Sequence, residues 1–330
     1  MRVGVIGVGR MGRVHAASLS GVAGVDVAIT DADSDLAREV GGKLGVEVAP
    51  GVDELIGTSD AVVVAAATEA HAQLVNRAAD AGLPTFCEKP ISLDLESTAD
   101  VVANVEKAGI PFMMGFQRRF DPGYRAAHDL VREGGIGTLY VVRMAGHDPA
   151  PPHEAYIATS GGIFRDFSVH DFDALRFVTG REVMSVYADG DVVEFPVFTK
   201  YGDVDTAVAV LRLSGGSLGI LSVTRHDPLG YDVRMELIGS GDCVAVGWDE
   251  RMPLRSLEPG AAPAPASPYR FFQDRFQEAY RAEMARFVEV AAGAQESPCT
   301  AQDALEALRI AVACDLSRAE HRPVTLEEVG

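Results

Sequence analysis

The stretch Gly7-Val8-Gly9-Arg10-Met11-Gly12 decides how this chain is read. It follows an apolar run, Arg2-Val3-Gly4-Val5-Ile6, and precedes a helical pattern that extends to about Leu19. Strand, glycine turn and helix in that order form the setting in which G-x-G-x-x-G holds the pyrophosphate of a dinucleotide. Gly7 permits the turn, Gly9 lets the backbone approach a phosphate, and Gly12 lets helix and strand pack closely. Val8, Arg10 and Met11 fill the loop and count with the cofactor contacts. The helix N-terminus offers N–H groups and partial positive charge to the phosphates.

Downstream, a second strand is expected over 25–30, ending at Asp31. Asp31 lies 31 − 12 = 19 residues past the last glycine, where the ribose-binding acid of this arrangement belongs. A carboxylate there accepts from both ribose hydroxyls and repels a 2′-phosphate, so NAD is expected rather than NADP. The other reading of Asp31 is a cap on the following helix. Apolar strands over 60–67, 84–87 and 110–115 then alternate with helical patterns over 69–81 and 93–108. That alternation predicts an α/β fold, a Rossmann doubly wound parallel sheet over residues 1–120. In such sheets ligands bind beyond the carboxyl ends of the strands. Thr68 and His71, Glu88 and Lys89, and Gln117, Arg118 and Arg119 stand at or past such ends. Thr68, His71, Glu88, Lys89 and Gln117 are therefore expected to line the cofactor site.

After Asp121 the pattern changes. A helix over 122–133 leads to a strand over 138–145 and then to a polar, proline-rich loop over 147–156, whose histidines and acids, Asp148 among them, can contact a polyol. Behind the pair Gly161-Gly162 come Asp166 and His170, four residues apart. On a helix, i and i+4 share a face, so Asp166 can orient the His170 imidazole and stabilise its protonated form, as a general base requires. A metal at His170-Asp171-Phe172-Asp173 is not expected, because neighbouring helix positions point in different directions. Alternating segments over 183–192, 205–213, 217–225, 232–238 and 243–248 are joined by glycine-rich turns. They predict antiparallel pairing. Residues 121–330 are thus expected to form a C-terminal α+β domain on a large, mostly antiparallel open sheet, closed by helices over 269–292 and 301–320.

Composition narrows the partners. With 29 basic and 48 acidic residues the formal charge is −19, which repels phosphate backbones and argues against nucleic acid. No apolar run is long enough to span a bilayer, and Val3-Gly4-Val5-Ile6-Gly7 is too short and glycine-rich for a signal-peptide core. A cytoplasmic protein without membrane partners is expected. Cys87, Cys243, Cys299 and Cys314 form no Cys-x-x-Cys pair, so neither a disulfide framework nor a zinc site is expected.

The glycine motif, Ala66-Ala67-Thr68-Glu69-Ala70-His71, Glu88-Lys89-Pro90, Gly115-Phe116-Gln117-Arg118-Arg119-Phe120-Asp121 and the Gly161-Gly162…Asp166-x-x-x-His170 pattern together resemble the glucose–fructose oxidoreductase/inositol dehydrogenase/rhizopine-catabolism family, over essentially the whole chain. The resemblance implies that Lys89 lies beside nicotinamide and substrate, where an ammonium stabilises charge on the reacting oxygen. It implies His170 as general base with Asp166 as its partner. Arg119, Asp148 and Tyr280 join Lys89, Asp166 and His170 as expected substrate contacts, Tyr280 because inositol dehydrogenases bring a tyrosine of this helix toward the substrate. The family also makes dimers and tetramers through the free face of its second sheet, so a homotetramer is expected. The implied reaction is NAD-dependent oxidation of a cyclic polyol, myo-inositol to 2-keto-myo-inositol (scyllo-inosose). A hexose or sugar-phosphate dehydrogenase, and a non-catalytic NAD-responsive binding protein, remain open beside it.

Overall fold

The computed structural model describes residues 1–329. The chain divides into two compact units, Met1–Phe120 with Glu278–Glu306, and Asp121–Gln277 with Ala307–Gly330.

The first unit alternates β1 (Arg2–Ile6), α1 (Gly12–Ser20), β2 (Asp26–Thr30), α2 (Ser34–Leu44), β3 (Glu47–Val48), α3 (Val52–Thr58), β4 (Ala61–Val64), α4 (Thr68–Asp80), β5 (Thr85–Glu88), α5 (Leu95–Ala108) and β6 (Phe112–Gly115). The six strands form a parallel sheet in the order β3-β2-β1-β4-β5-β6. Every residue of β4 and β5 is buried, as strands covered on both faces must be. The strand order reverses between β1 and β4, which opens a crevice beyond their carboxyl ends. Helix ends follow local chemistry: the Asp33 side chain accepts from Asp35 and Leu36 N–H at the start of α2, and Gly45 ends it in the left-handed region.

The second unit begins with α6 (Pro122–Arg132), capped by the Asp121 side chain with Pro122 in the first turn. Then come β7 (Leu139–His147), α7 (Glu154–Ile157), a π-helical turn (Phe164–Ser168) continuing into α8 (Val169–Thr179), β8 (Val183–Asp191), β9 (Thr206–Leu213), β10 (Leu218–Thr224), β11 (Asp232–Gly239), β12 (Cys243–Val246) and α9 (Phe272–Arg275). After α10 (Gln277–Ala291) and α11 (Ala301–Glu320), β13 (Val324–Thr325) completes a seven-stranded sheet, β12-β11-β7-β10-β9-β8-β13. All pairs are antiparallel except β7 with β10. One face carries the core, with Val142, Leu211, Leu221 and Met235 fully or nearly fully buried. The other face is also apolar over much of its area: Met184, Tyr187, Val208, Val210, Leu218 and Ile220 are all exposed.

The expected division at residue 120 needs a correction. Glu278–Glu306 return to the first unit rather than staying with 121–330. The cause is packing: Phe287 of α10 meets Phe86 with ring centroids 5.7 Å apart, and Cys299 O accepts from Met114 N–H at 2.9 Å.

Candidate active site

The nucleotide face of the first unit is built by backbone. Gly7 has φ +88°, and a Cβ on Gly12 would stand 1.8 Å from Gly7 O. Both positions thus demand glycine. A Cβ on Gly9 would meet nothing within 4 Å, so the backbone there is open to a ligand. Val8 N–H donates to Asp31 Oδ2 at 2.7 Å, and Asp33 N–H to Asp31 Oδ1 at 2.9 Å. Asp31 therefore holds the turn, while the helix cap falls to Asp33. Each Asp31 oxygen keeps a further lone pair. An open Gly9, the N-terminus of α1 and a half-buried acceptor carboxylate fit a dinucleotide, with pyrophosphate at the turn and ribose at Asp31.

Glu88, Lys89 and Pro90 close β5. Glu88 is buried; its Oε1 lies 2.6 Å from His15 Nε2 on α1, and its Oε2 accepts from Lys89 N–H at 3.1 Å. The Lys89–Pro90 bond is cis, and Lys89 is half-buried. His71 is buried, with ring nitrogens 2.7 Å from Pro90 O and 2.9 Å from Ala66 O. It ties the end of β4 to the turn after Lys89, which makes it a support for Lys89. Thr68 opens α4, half-buried, and Gln117 is buried. Tyr280 is buried with its ring edge-on to His15 at 6.0 Å. Arg119, expected as a substrate contact, is buried. Nη1 donates to Pro298 O at 2.7 Å and Nη2 lies 3.1 Å from Asp303, so the guanidinium is committed to the returning segment. Glu283 is fully buried, and neither carboxyl oxygen has a hydrogen-bond partner among the described residues. Burial first, then the charge of Glu88, push its pKa well above the ordinary carboxyl range.

In the second unit the sheet ends and the first turn of the following helix meet. Asp148 N–H donates to Thr224 O at 3.0 Å, which places Asp148 just beyond β7 and beside the end of β10. Asp166 sits in the π-turn and is 8% exposed. Its Oδ1 accepts from Tyr156 Oη at 2.7 Å and its Oδ2 from Arg225 Nη2 at 2.9 Å. Arg225 Nη1 reaches Asp148 Oδ2 at 3.3 Å, and the guanidinium lies 5.7 Å from the Phe167 ring centroid. Burial weakens the Arg225 charge, but Asp166, Asp148 and Asp203 more than restore it, so its pKa is raised. His170 is the second residue of α8 and half-buried, in one continuous helical segment with Asp166. π-turns are rare and recur at functional sites. Nearby, His147, Asp227 and Asp232 bring three ligand-type atoms within 4.8 Å of one another. Both Asp232 oxygens accept from Arg234 at 2.8 and 3.0 Å, which already supplies a cation.

Four residues at these places were not foreseen: His15, Glu283, Tyr156 and Arg225. An arginine at the end of the alternating apolar run 217–225 was the clearest available signal.

Residues 1–116 match the family described as oxidoreductase family, NAD-binding Rossmann fold, and residues 124–244 match the GFO/IDH/MocA C-terminal domain. The chain belongs to the GFO/IDH/MocA oxidoreductase family. It is 39% identical to the myo-inositol 2-dehydrogenase of Thermotoga maritima, covering 100% of this chain and 99% of that protein. It is 38% identical to a myo-inositol dehydrogenase of Streptomyces leeuwenhoekii, over 96% and 97%. The structure of a scyllo-inositol dehydrogenase from Lactobacillus casei with bound NAD(H) and scyllo-inositol superposes with a TM-score of 0.89 at 29% identity, over 99% of each chain. The protein is thus an oxidoreductase with an NAD-binding domain, as the glycine turn and Asp31 led one to expect. No helix among the described residues is long and apolar enough to cross a membrane.

Proposed function

We propose that this oxidoreductase oxidises a cyclic polyol of the inositol type with NAD, the first choice being myo-inositol, oxidised at one ring hydroxyl to 2-keto-myo-inositol. The observation that carries the reading is full-length likeness, at 38% and 39% identity, to two myo-inositol dehydrogenases. The residues give it chemistry. His170 takes the hydroxyl proton at its imidazole, and Asp166 favours the imidazolium that results. Lys89, fixed through Glu88 and the turn that His71 holds, donates to the reacting oxygen and stabilises negative charge on it. NAD, when bound, supplies the hydride-accepting ring. A sugar-phosphate reading would need a free basic cluster, and the nearest arginines count against it: Arg118 is buried and Arg119 holds Pro298 and Asp303.

The reading extends to assembly and location. Exposed Met184, Tyr187, Val208, Val210, Leu218 and Ile220 on the outer sheet face support a homotetramer, since monomers seldom leave so contiguous an apolar face in water. NAD-dependent polyol oxidation and cysteines that form no disulfide among the described residues support a cytoplasmic protein.

The test is a panel of inositols, hexoses and hexose phosphates with NAD or NADP, read by the absorbance of the reduced nicotinamide. Activity with an inositol and NAD is expected; activity confined to hexose phosphates overturns the substrate class. His170→Ala should bind NAD normally and lose ~10²-fold or more in kcat. Asp31→Ala should weaken NAD binding far more than it affects folding, although it also frees the Val8 and Asp33 N–H groups.

A further inference from the structure

We infer that Arg225 is a positioning residue for this reaction: one buried guanidinium fixes Asp148, beyond β7, and Asp166, in the turn before His170, as a pair of oriented acceptors. The inference rests on the polyol reading above.

The geometry is a series of linked side chains, Asp148, Arg225, Asp166 and Tyr156 in that order. Arg225 is 2% exposed, and its two terminal nitrogens point at different carboxylates, 2.9 Å to Asp166 and 3.3 Å to Asp148. A planar guanidinium has donors on separate edges and can do this; an ammonium is a point charge and cannot hold two directions at once. The other oxygen of Asp166 accepts from Tyr156. Asp148 and Tyr156 lie toward the two ends of the loop over 147–156, so that loop is tied to Asp166 twice, once through Arg225 and once directly. The loop itself is exposed at Ala150, His153 and Glu154, and two like charges meet at its base. Without the cation between them, Asp148 and Asp166 would repel, and of the loop's two ties to Asp166 the tyrosine bond would remain.

The arrangement also has a ligand preference. Ionised carboxylates accept hydrogen bonds and cannot donate. Two of them, held at fixed angles, suit a ligand dense in O–H donors. Other titratable groups stand on the neighbouring elements: Tyr156 on α7, His170 and Asp171 in the first turn of α8, and Asp203, whose Oδ1 accepts from Ile163 N–H at 2.9 Å just ahead of the π-turn.

The deciding measurement is the pH dependence of kcat/KM for the active inositol. Arg225→Gln removes positive charge, which raises the pKa of whichever neighbour sets the acid limb. An aspartate loses the partner of its anion, and a histidine feels a more negative field. The limb should move up by about one pH unit or more. At pH 7 kcat/KM should fall at least tenfold and recover in part at pH 9, while NAD affinity stays within twofold. Asp148→Asn removes negative charge and should move the limb the opposite way, with a higher KM for the polyol. Should Arg225→Gln not fold, Asp148→Asn still decides. A limb that stays in place in the variants that fold overturns the inference, because a purely structural arginine would change yield or melting temperature and leave the profile where it was. Wild-type protein that oxidises no polyol would instead overturn the reading on which this rests.

Discussion

Asp166 and Glu283 are both buried carboxyl groups, one in each unit, and the chain treats them in opposite ways. Asp166 receives a guanidinium on one oxygen and a phenol on the other. Glu283 receives no hydrogen bond on either oxygen among the described residues and faces the charge of Glu88. Donors favour the anion in the first case; burial and like charge favour the neutral acid in the second. The difference separates two uses of one functional group. A carboxylate paired with a guanidinium and a phenol in a dry place can accept from a ligand, whereas a carboxyl whose burial favours the neutral form sits beside the network that supports Lys89.

The contrast can be broken experimentally, and the largest effect should come from Asp166. Asp166→Ala leaves the buried Arg225 with Asp148 as its remaining hydrogen-bonded counter-charge and should cost about 3–5 kcal/mol in denaturant unfolding, the scale for breaking a buried pair. A loss below 1 kcal/mol would mean that the pair is more hydrated than its burial implies. Tyr156→Phe comes next. It removes one bond to a charged acceptor, worth about 1.5 kcal/mol, and should leave NAD binding unchanged. Glu283→Gln is the smallest and the most diagnostic. The folded-state pKa of Glu283 lies above its unfolded value, so the native state holds the proton more tightly and loses stability as pH rises past the ordinary carboxyl range. The variant should match the wild type near pH 4.5 and gain on it as pH rises, read as a Tm difference that widens with pH. A constant offset at every pH would show that Glu283 is not held neutral. On the outer sheet face, Val210→Lys should reduce a tetramer to smaller species by light scattering without loss of secondary structure.

What could be read in advance divides along the same line. Gly7, Gly12 and Asp31 act through backbone sterics and a fixed spacing, and both leave a mark on the linear sequence. The parallel and antiparallel sheets were legible for a similar reason, since period and turn residues are local. Asp166 and Arg225 are 59 positions apart, and nothing local marks that they meet. The single parallel pair, β7 with β10, was hidden for that reason too. The π-turn was not legible because no residue type demands it. Arg119 looked like a ligand contact since it stands past a strand end; only the position of Pro298 and Asp303 in space explains where its donors go. Likewise, an amphipathic pattern announces that α10 has a buried face but not which core receives it.

The late return of α10 to the first unit bears on biosynthesis. Domains generally mature in order as the chain leaves the ribosome, yet here the nucleotide-binding half lacks Tyr280, Phe287 and Cys299 until all of residues 121–277 have been made. A nascent chain stalled before α10 would leave the Phe86 side of that sheet uncovered, a natural target for chaperones. Premature termination anywhere upstream should therefore yield a sticky, protease-sensitive product, with no autonomous N-terminal fragment to salvage.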